Sequence, residues 1–199
     1  MQENIIVNSA STVYIAFTSE MPKLFLMIDA DGDVEYFRYM DGKTPRIRFN
    51  IPVPGSYTFN CPFSLVKMVP IEVNYNLPVL PSPERDRLKE PVIVYDPGWT
   101  ISVASNFTEE GVIVHGPGWL ALIKPIRLFI DLHEVGHFFY RTEQYCDLYA
   151  LVNFLRMGYN RSTAFYALTK VLGRSPEAMD RIKSMFSTIT KTTGEFSPE

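Results

Sequence analysis

The pentapeptide His133-Glu134-Val135-Gly136-His137, inside the run IRLFIDLHEVGHFF, constrains this chain more than any other segment. On a helix, residues four apart lie one turn above each other, so both imidazoles occupy one face and can reach a common metal ion, with Glu134 beside them. At about 100° per residue, Ile126, Ile130, His133 and His137 share a stripe, while Leu128, Leu132 and Val135 point to the other side. Only Arg127 and Asp131 form a polar sliver, which predicts a largely buried helix over 125–140. Imidazoles and a carboxylate in a core without partners are costly, and a bound cation supplies the partner. Gly136 loses about 1 kcal/mol of helix propensity relative to alanine, which predicts that another backbone passes close to it.

Glu143 and Asp147 follow four residues apart, on one face of a second helix that Thr142 caps and that runs to about Met157, where Gly158 stops it. A sharp turn over 140–142 directs that face back at the histidines. Catalytic zinc takes three protein ligands and keeps a position for water, so His133, His137 and Glu143 are the expected metal ligands. Asp147 is then placed to fix a ring through its other nitrogen, and Glu134 is the expected general base. With only five residues between His137 and Glu143, both Glu143 and Asp147 stay open as the third ligand. Cys146, between the two acids, reads as a small packed residue.

HEVGH followed by ExxxD resembles the gluzincin branch of zinc metallopeptidases. The stretch 92–157, above all IRLFIDLHEVGHFFYRTEQYCDLYAL, is similar to short HExxH proteins of tailed phages and their bacterial hosts, and the two-part layout resembles virion components of crAss-like phages. The resemblance covers about a third of the chain. It implies a Zn2+ cofactor and a peptidase acting on a peptide or protein substrate. The other role it implies is a virion or assembly protein, a homo-oligomer with virion protein partners, in which the zincin fold is a scaffold. For the enzyme, substrate is expected to lie extended along 112–115 as an edge strand, with His115 or Tyr140 bonding the oxyanion.

Around this segment the chain reads as α+β. Runs at 12–17, 24–28, 34–39, 46–50, 56–60 and 65–73 alternate or are rich in β-branched and aromatic residues, and Gly, Pro and Asp punctuate them. They predict a small antiparallel β-sandwich or barrel over 1–76, with neighbouring strands folding back as hairpins at Asp31-Gly32, Asp41-Gly42 and Pro54-Gly55. Pro70 restricts the last run to a sheet edge. The alternating aspartates from Asp29 to Asp33 suit a hairpin turn better than a calcium loop, because Val34 and Met40 stand where an EF-hand needs Gly and Glu. Residues 77–91, LPVLPSPERDRLKEP, carry four prolines without hydrophobic period and read as a linker.

The zincin-like domain is expected over 92–199. It opens with a repeat, VIVYDPGW at 92–99 and VIVHGPGW at 112–119, which predicts two similar buried strands in one short sheet. After the two helices above, Asn160 caps a third that Gly173 ends, and Ser175-Pro176 opens a fourth to about Ile189. The last nine residues read as frayed.

Composition excludes several classes. A chain of 199 residues with 46% hydrophobic and 21% charged side chains supports a full core. A net charge of −3 offers no basic excess for nucleic acid or an anionic membrane. No apolar run approaches the roughly 20 residues that span a bilayer, and the N-terminus lacks the charged and apolar regions of a signal peptide. The expected location is cytoplasmic or in a virion. Two cysteines, Cys61 and Cys146, make no disulfide framework.

Overall fold

Seven strands make up the N-terminal sheets: β1 (Glu3–Val7), β2 (Ser11–Phe17), β3 (Leu24–Ile28), β4 (Val34–Tyr39), β5 (Arg46–Ile51), β6 (Gly55–Phe59) and β7 (Phe63–Pro70). There follow β8 (Tyr75–Asn76), β9 (Val92–Tyr95), β10 (Ala104–Phe107), β11 (Val112–His115), α1 (Pro117–Leu120), α2 (Lys124–Gly136), α3 (Glu143–Arg156), α4 (Arg161–Leu172), α5 (Pro176–Ser187) and β12 (Thr190–Lys191). The computed structural model describes residues 3–18, 22–40, 42–43, 45–71, 75–85 and 90–191. The fold is α+β. Two compact units divide it: Met1–Val73 with Ile123–Pro125 and Met157–Asn160, and Asn74–Leu122 with Ile126–Arg156 and Arg161–Glu199.

In the first unit, β1-β6-β3-β4 form one antiparallel sheet and β5-β2-β7 another. Side chains alternate across each strand. In β5, Ile47, Phe49 and Ile51 are buried, whereas Arg46 and Arg48 are exposed. The inward faces of both sheets share one core, in which the rings of Phe25 from one sheet and Phe49 from the other lie 5.6 Å apart. Two open sheets over a common core make a sandwich and not a barrel. Pro70 ends β7, which lies at a sheet edge as its missing N–H requires.

The expectation that successive strands pair as hairpins is corrected at two turns. β3 and β4 do pair around Gly32, whose φ of 87° suits the tight turn. β4 and β5 lie in different sheets, as do β5 and β6, so neither pair is a hairpin; Asp41 of the expected turn lies outside the described residues. Tight-turn residues reverse the chain in either case. Which sheet receives the next strand depends on which inward face its apolar residues must complete.

In the second unit the repeat forms a pair as expected. β9 and β11 are parallel neighbours in matched register, Val92↔Val112 through Tyr95↔His115. Their burial differs, which corrects the reading of two buried strands. β11 lies between β10 and β9 and buries Ile113 completely, whereas β9 is the edge and all four of its residues are exposed. Pro81, Glu84 and Arg85 of the expected linker are hydrogen-bonded within this unit. The N–H groups of Glu84 and Arg85 donate to Phe139 O at 2.8 and 3.1 Å. Residues 86–89 of the expected linker and 192–199 of the expected frayed tail lie outside the described residues.

Helix boundaries follow the capping signals. Ser175 Oγ accepts from Ala178 N at 3.2 Å ahead of α5, and Gly173, at a φ of 83°, ends α4. α2 stops at Gly136, four residues before the expected Tyr140. Beyond it His137 N and Phe138 N bond to carbonyls three residues back, at 3.2 and 3.0 Å, which is the tighter winding of a helix end. Both cysteines are free, and no helix among the described residues is long and apolar enough to cross a membrane.

Candidate metal centre

The site is built from the C-terminal turn of α2 and the first turns of α3. His133 points from α2 into this turn, and His137 follows from the residue just past the helix end, leaving the two rings 4.9 Å apart at 84°. α3 begins directly at Glu143, so its first turn presents Glu143 and Asp147 on one face. Thr142 O accepts from Tyr145 N and Cys146 N, both at 3.1 Å, which fixes that turn. The approach of α3 depends on Gly136: a Cβ there would lie 2.9 Å from Cys146 Cα. The close backbone passage expected from this glycine is therefore present, and Cys146 is the residue that passes.

Glu143 faces both histidines with one oxygen each. Its Oε2 lies 3.2 Å from His133 Nε2, and its Oε1 lies 3.6 Å from His137 Nε2. The far nitrogen of each ring is held from behind, by Asp147 Oδ1 at 2.8 Å from His133 Nδ1 and by Cys146 Sγ at 3.3 Å from His137 Nδ1. Histidine ligands need this arrangement, since fixing Nδ1 leaves the Nε2 lone pair directed at a metal. One ligand atom from each of His133, His137 and Glu143 lies within 4.8 Å of the others, so the three can hold a metal ion. Of the two acids left open as third ligand, Glu143 faces Nε2 and Asp147 faces Nδ1. Exposure is graded across the site: the side chain of Glu143 is 61% exposed, that of His137 23% and that of His133 10%, so an ion here is reached from the Glu143 side.

Electrostatics separate the groups. Burial opposes charge on His133, but the hydrogen bond and charge of Asp147, aided by Glu134 and Glu143, outweigh it and raise its pKa. His137 is lowered, by burial first and then by the charge of His133. Burial also lifts Glu134 above the usual carboxylate range, with Glu143 and Asp131 adding to the rise and His133 opposing it. Cys146, wholly buried, has its thiol pushed up to about 12 by burial and the neighbouring carboxylates, so it meets His137 as a neutral thiol.

Two supports escaped the sequence. Arg181 of α5 pairs with Asp147 Oδ2. Asn106 of β10 donates from Nδ2 to the backbone O of Glu134 at 2.7 Å, on the Glu134 side of the helix. Neither has a local signal, because each meets its partner only through the fold.

The two residues expected to bond the oxyanion, His115 and Tyr140, each have neighbours within the protein. His115 Nε2 lies 2.8 Å from Asp131 Oδ1 and its ring stacks on Trp119 at 4.1 Å, while the Tyr140 hydroxyl donates to Pro81 O at 2.9 Å. Both residues are 3% exposed. The strand expected to receive substrate, 112–115, is the centre of its sheet with partners on both sides, which leaves no free backbone edge for β-augmentation. Comparison with protein-family models, with curated proteins and with solved structures finds no match for this chain.

Proposed function

We propose that this chain is a zinc-dependent hydrolase of the metallopeptidase type, cleaving peptide bonds in a peptide or protein substrate. The observation that carries the reading is the convergence of both Nε2 atoms on Glu143 while Asp147 and Cys146 hold the Nδ1 atoms behind them. Two imidazoles and one carboxylate suit zinc, with room for a further ligand on the exposed side. A zinc ion held by His133, His137 and Glu143 supplies Lewis acidity, which acidifies water and polarises a carbonyl.

Glu134 is the proton carrier in this reading. Its raised pKa strengthens it as a base toward the attacking water, and the proton it takes then passes to the leaving amine. Asp147 orients His133, and Arg181 holds Asp147 in turn.

Metal analysis of the purified protein tests the site, and cleavage of a peptide library tests the activity. His133→Ala is expected to abolish metal binding, and zinc retained at full stoichiometry by that variant overturns the ligand assignment. Glu134→Gln is expected to keep the metal and lose cleavage. A wild type that holds zinc and cleaves nothing removes the enzymatic reading and leaves the metal a stabilising role, as in a virion scaffold.

A further inference from the structure

Lys124, Asp29 and Glu35 form a second cluster, inside the first unit and sharing no residue with the metal centre. Lys124 Nζ lies 2.7 Å from Asp29 Oδ2 and 3.2 Å from Glu35 Oε1. The Asp29 side chain is 8% exposed and that of Glu35 only 2%. One ammonium faces two carboxylates, and an ion pair needs only one. The second, Glu35, is the more deeply buried of the two and is also hydrogen-bonded to Tyr159.

Asp29 is also held in an unusual way. Its Oδ1 accepts the backbone N–H groups of Asp31 at 3.0 Å and Asp33 at 2.9 Å, within the turn between β3 and β4. Its Oδ2 faces the amine. A carbonyl oxygen in a pair of N–H donors, a nucleophile on the other oxygen's side and a buried acid beside the nucleophile are the parts of an acyl-transfer site. Nζ is hydrogen-bonded to Oδ2 at 2.7 Å, and to reach the carbon between the two oxygens it must swing from that bond onto the face of the carboxyl group.

We propose that Lys124 and Asp29 condense into an intramolecular amide, with Glu35 as the proton shuttle. Glu35 takes a proton from the ammonium and passes it to Asp29 Oδ2, leaving a neutral amine beside a neutral acid. Nζ then attacks Cγ, and the negative charge develops on Oδ1 between the two N–H groups. A second proton from Nζ travels through Glu35 to the same Oδ2, the Cγ–Oδ2 bond breaks and one water leaves. Nitrogen has lost two protons, both now in that water, and Glu35 has returned to its starting state. No oxidant, nucleotide or other co-reactant is required. Burial raises the Glu35 carboxyl, which suits a group that must hold a proton in passing. Lys124 and the two N–H groups lower Asp29 against the effect of its burial, so the ion pair is the resting state from which the step proceeds. Against the effect of its burial, Asp29 and Glu35 hold Lys124 well above the ordinary lysine value, so the neutral amine is reached only through transfer to Glu35. The effective molarities of about 10⁵–10⁸ M open to well-oriented intramolecular partners must offset that cost.

The experiment is the intact mass of the full chain, followed by tryptic mapping. A mass one water short of the sequence is expected, with peptide 24–38 joined to peptide 90–127 through Asp29 and Lys124 and fragment spectra placing the link. Lys124→Arg and Asp29→Ala are expected to restore the full mass, and Glu35→Gln to restore it in protein whose circular dichroism matches wild type. A wild type at full sequence mass, fresh and after prolonged incubation, overturns the proposal whatever the variants do. So does a lost water with no joined peptides, which is the signature of succinimide at Asp31-Gly32 or Asp41-Gly42. A folded Glu35→Gln protein that still carries the link at wild-type yield overturns the shuttle.

Discussion

Oδ1 of Asp147 lies 2.8 Å from Nδ1 of His133, and the other oxygen of this fully buried carboxylate pairs with Arg181. The acid therefore transmits a position from α5 to His133 on α2. Asp147→Asn keeps the shape but loses the charge, and metal affinity is expected to fall about 10–100-fold, the usual effect of removing such a support. Arg181→Met is expected to act in the same direction, with Arg181→Lys recovering part of the loss. Competition titration against a chromophoric chelator measures all three, and unchanged affinity in Asp147→Asn would remove the relay.

Proton release should accompany metal binding. His133 is held above the ordinary histidine value of about 6.5, so just above that pH the metal-free protein still carries a proton that an unperturbed histidine has lost. A metal competes with this proton, and affinity therefore falls as pH falls through the raised value. Calorimetric titration in buffers of different ionisation enthalpy, slightly above the ordinary histidine pKa, should show release, and less of it in Asp147→Asn. Equal heats across buffers for wild type would contradict the assignment.

Gly136→Ala gains about 1 kcal/mol of helix propensity. It also places a methyl group 2.9 Å from Cys146 Cα and 3.2 Å from Cys146 O, both backbone atoms that cannot swing aside. Overpacking of this kind costs about 1–3 kcal/mol, so the net effect is a loss of stability. The larger effect is expected on metal affinity, since α3 carries Glu143, Asp147 and Cys146 and must move as a body. Thermal denaturation and metal titration of the same variant test this, and a variant as tight-binding as wild type would show that the approach is dispensable.

The repeat offers an internal control. Ile113 is completely buried and its register partner Ile93 is 56% exposed. Ile113→Ala is expected to cost about 2–5 kcal/mol, whereas Ile93→Thr should stay within about 0.5 kcal/mol of wild type. Chemical denaturation of both variants decides it, and equal losses would mean that β9 is covered in solution.

Local chemistry made much of this chain legible. Runs that alternate or are rich in β-branched and aromatic residues marked β2 through β7, and Ser175, Gly158 and Gly173 marked helix ends, because capping and left-handed turns act within a few residues. The spacing of His133 and His137 put both rings on one helical face, and Gly136 announced a close neighbour. β1 went unmarked, and its partner β6 lies about fifty residues away.

What the sequence by itself determined was the periodicity, the turn chemistry and the residue types available to a metal, since each follows from backbone geometry and side-chain reach over one or two turns. Only the tertiary structure decided that Glu143 faces Nε2 while Asp147 takes Nδ1, that Arg181 stands behind Asp147, and that one copy of an eight-residue repeat is core while the other is edge. These outcomes depend on how elements distant in sequence share a limited interior. Identical side chains such as Ile93 and Ile113 carry no local information about which of them will be covered.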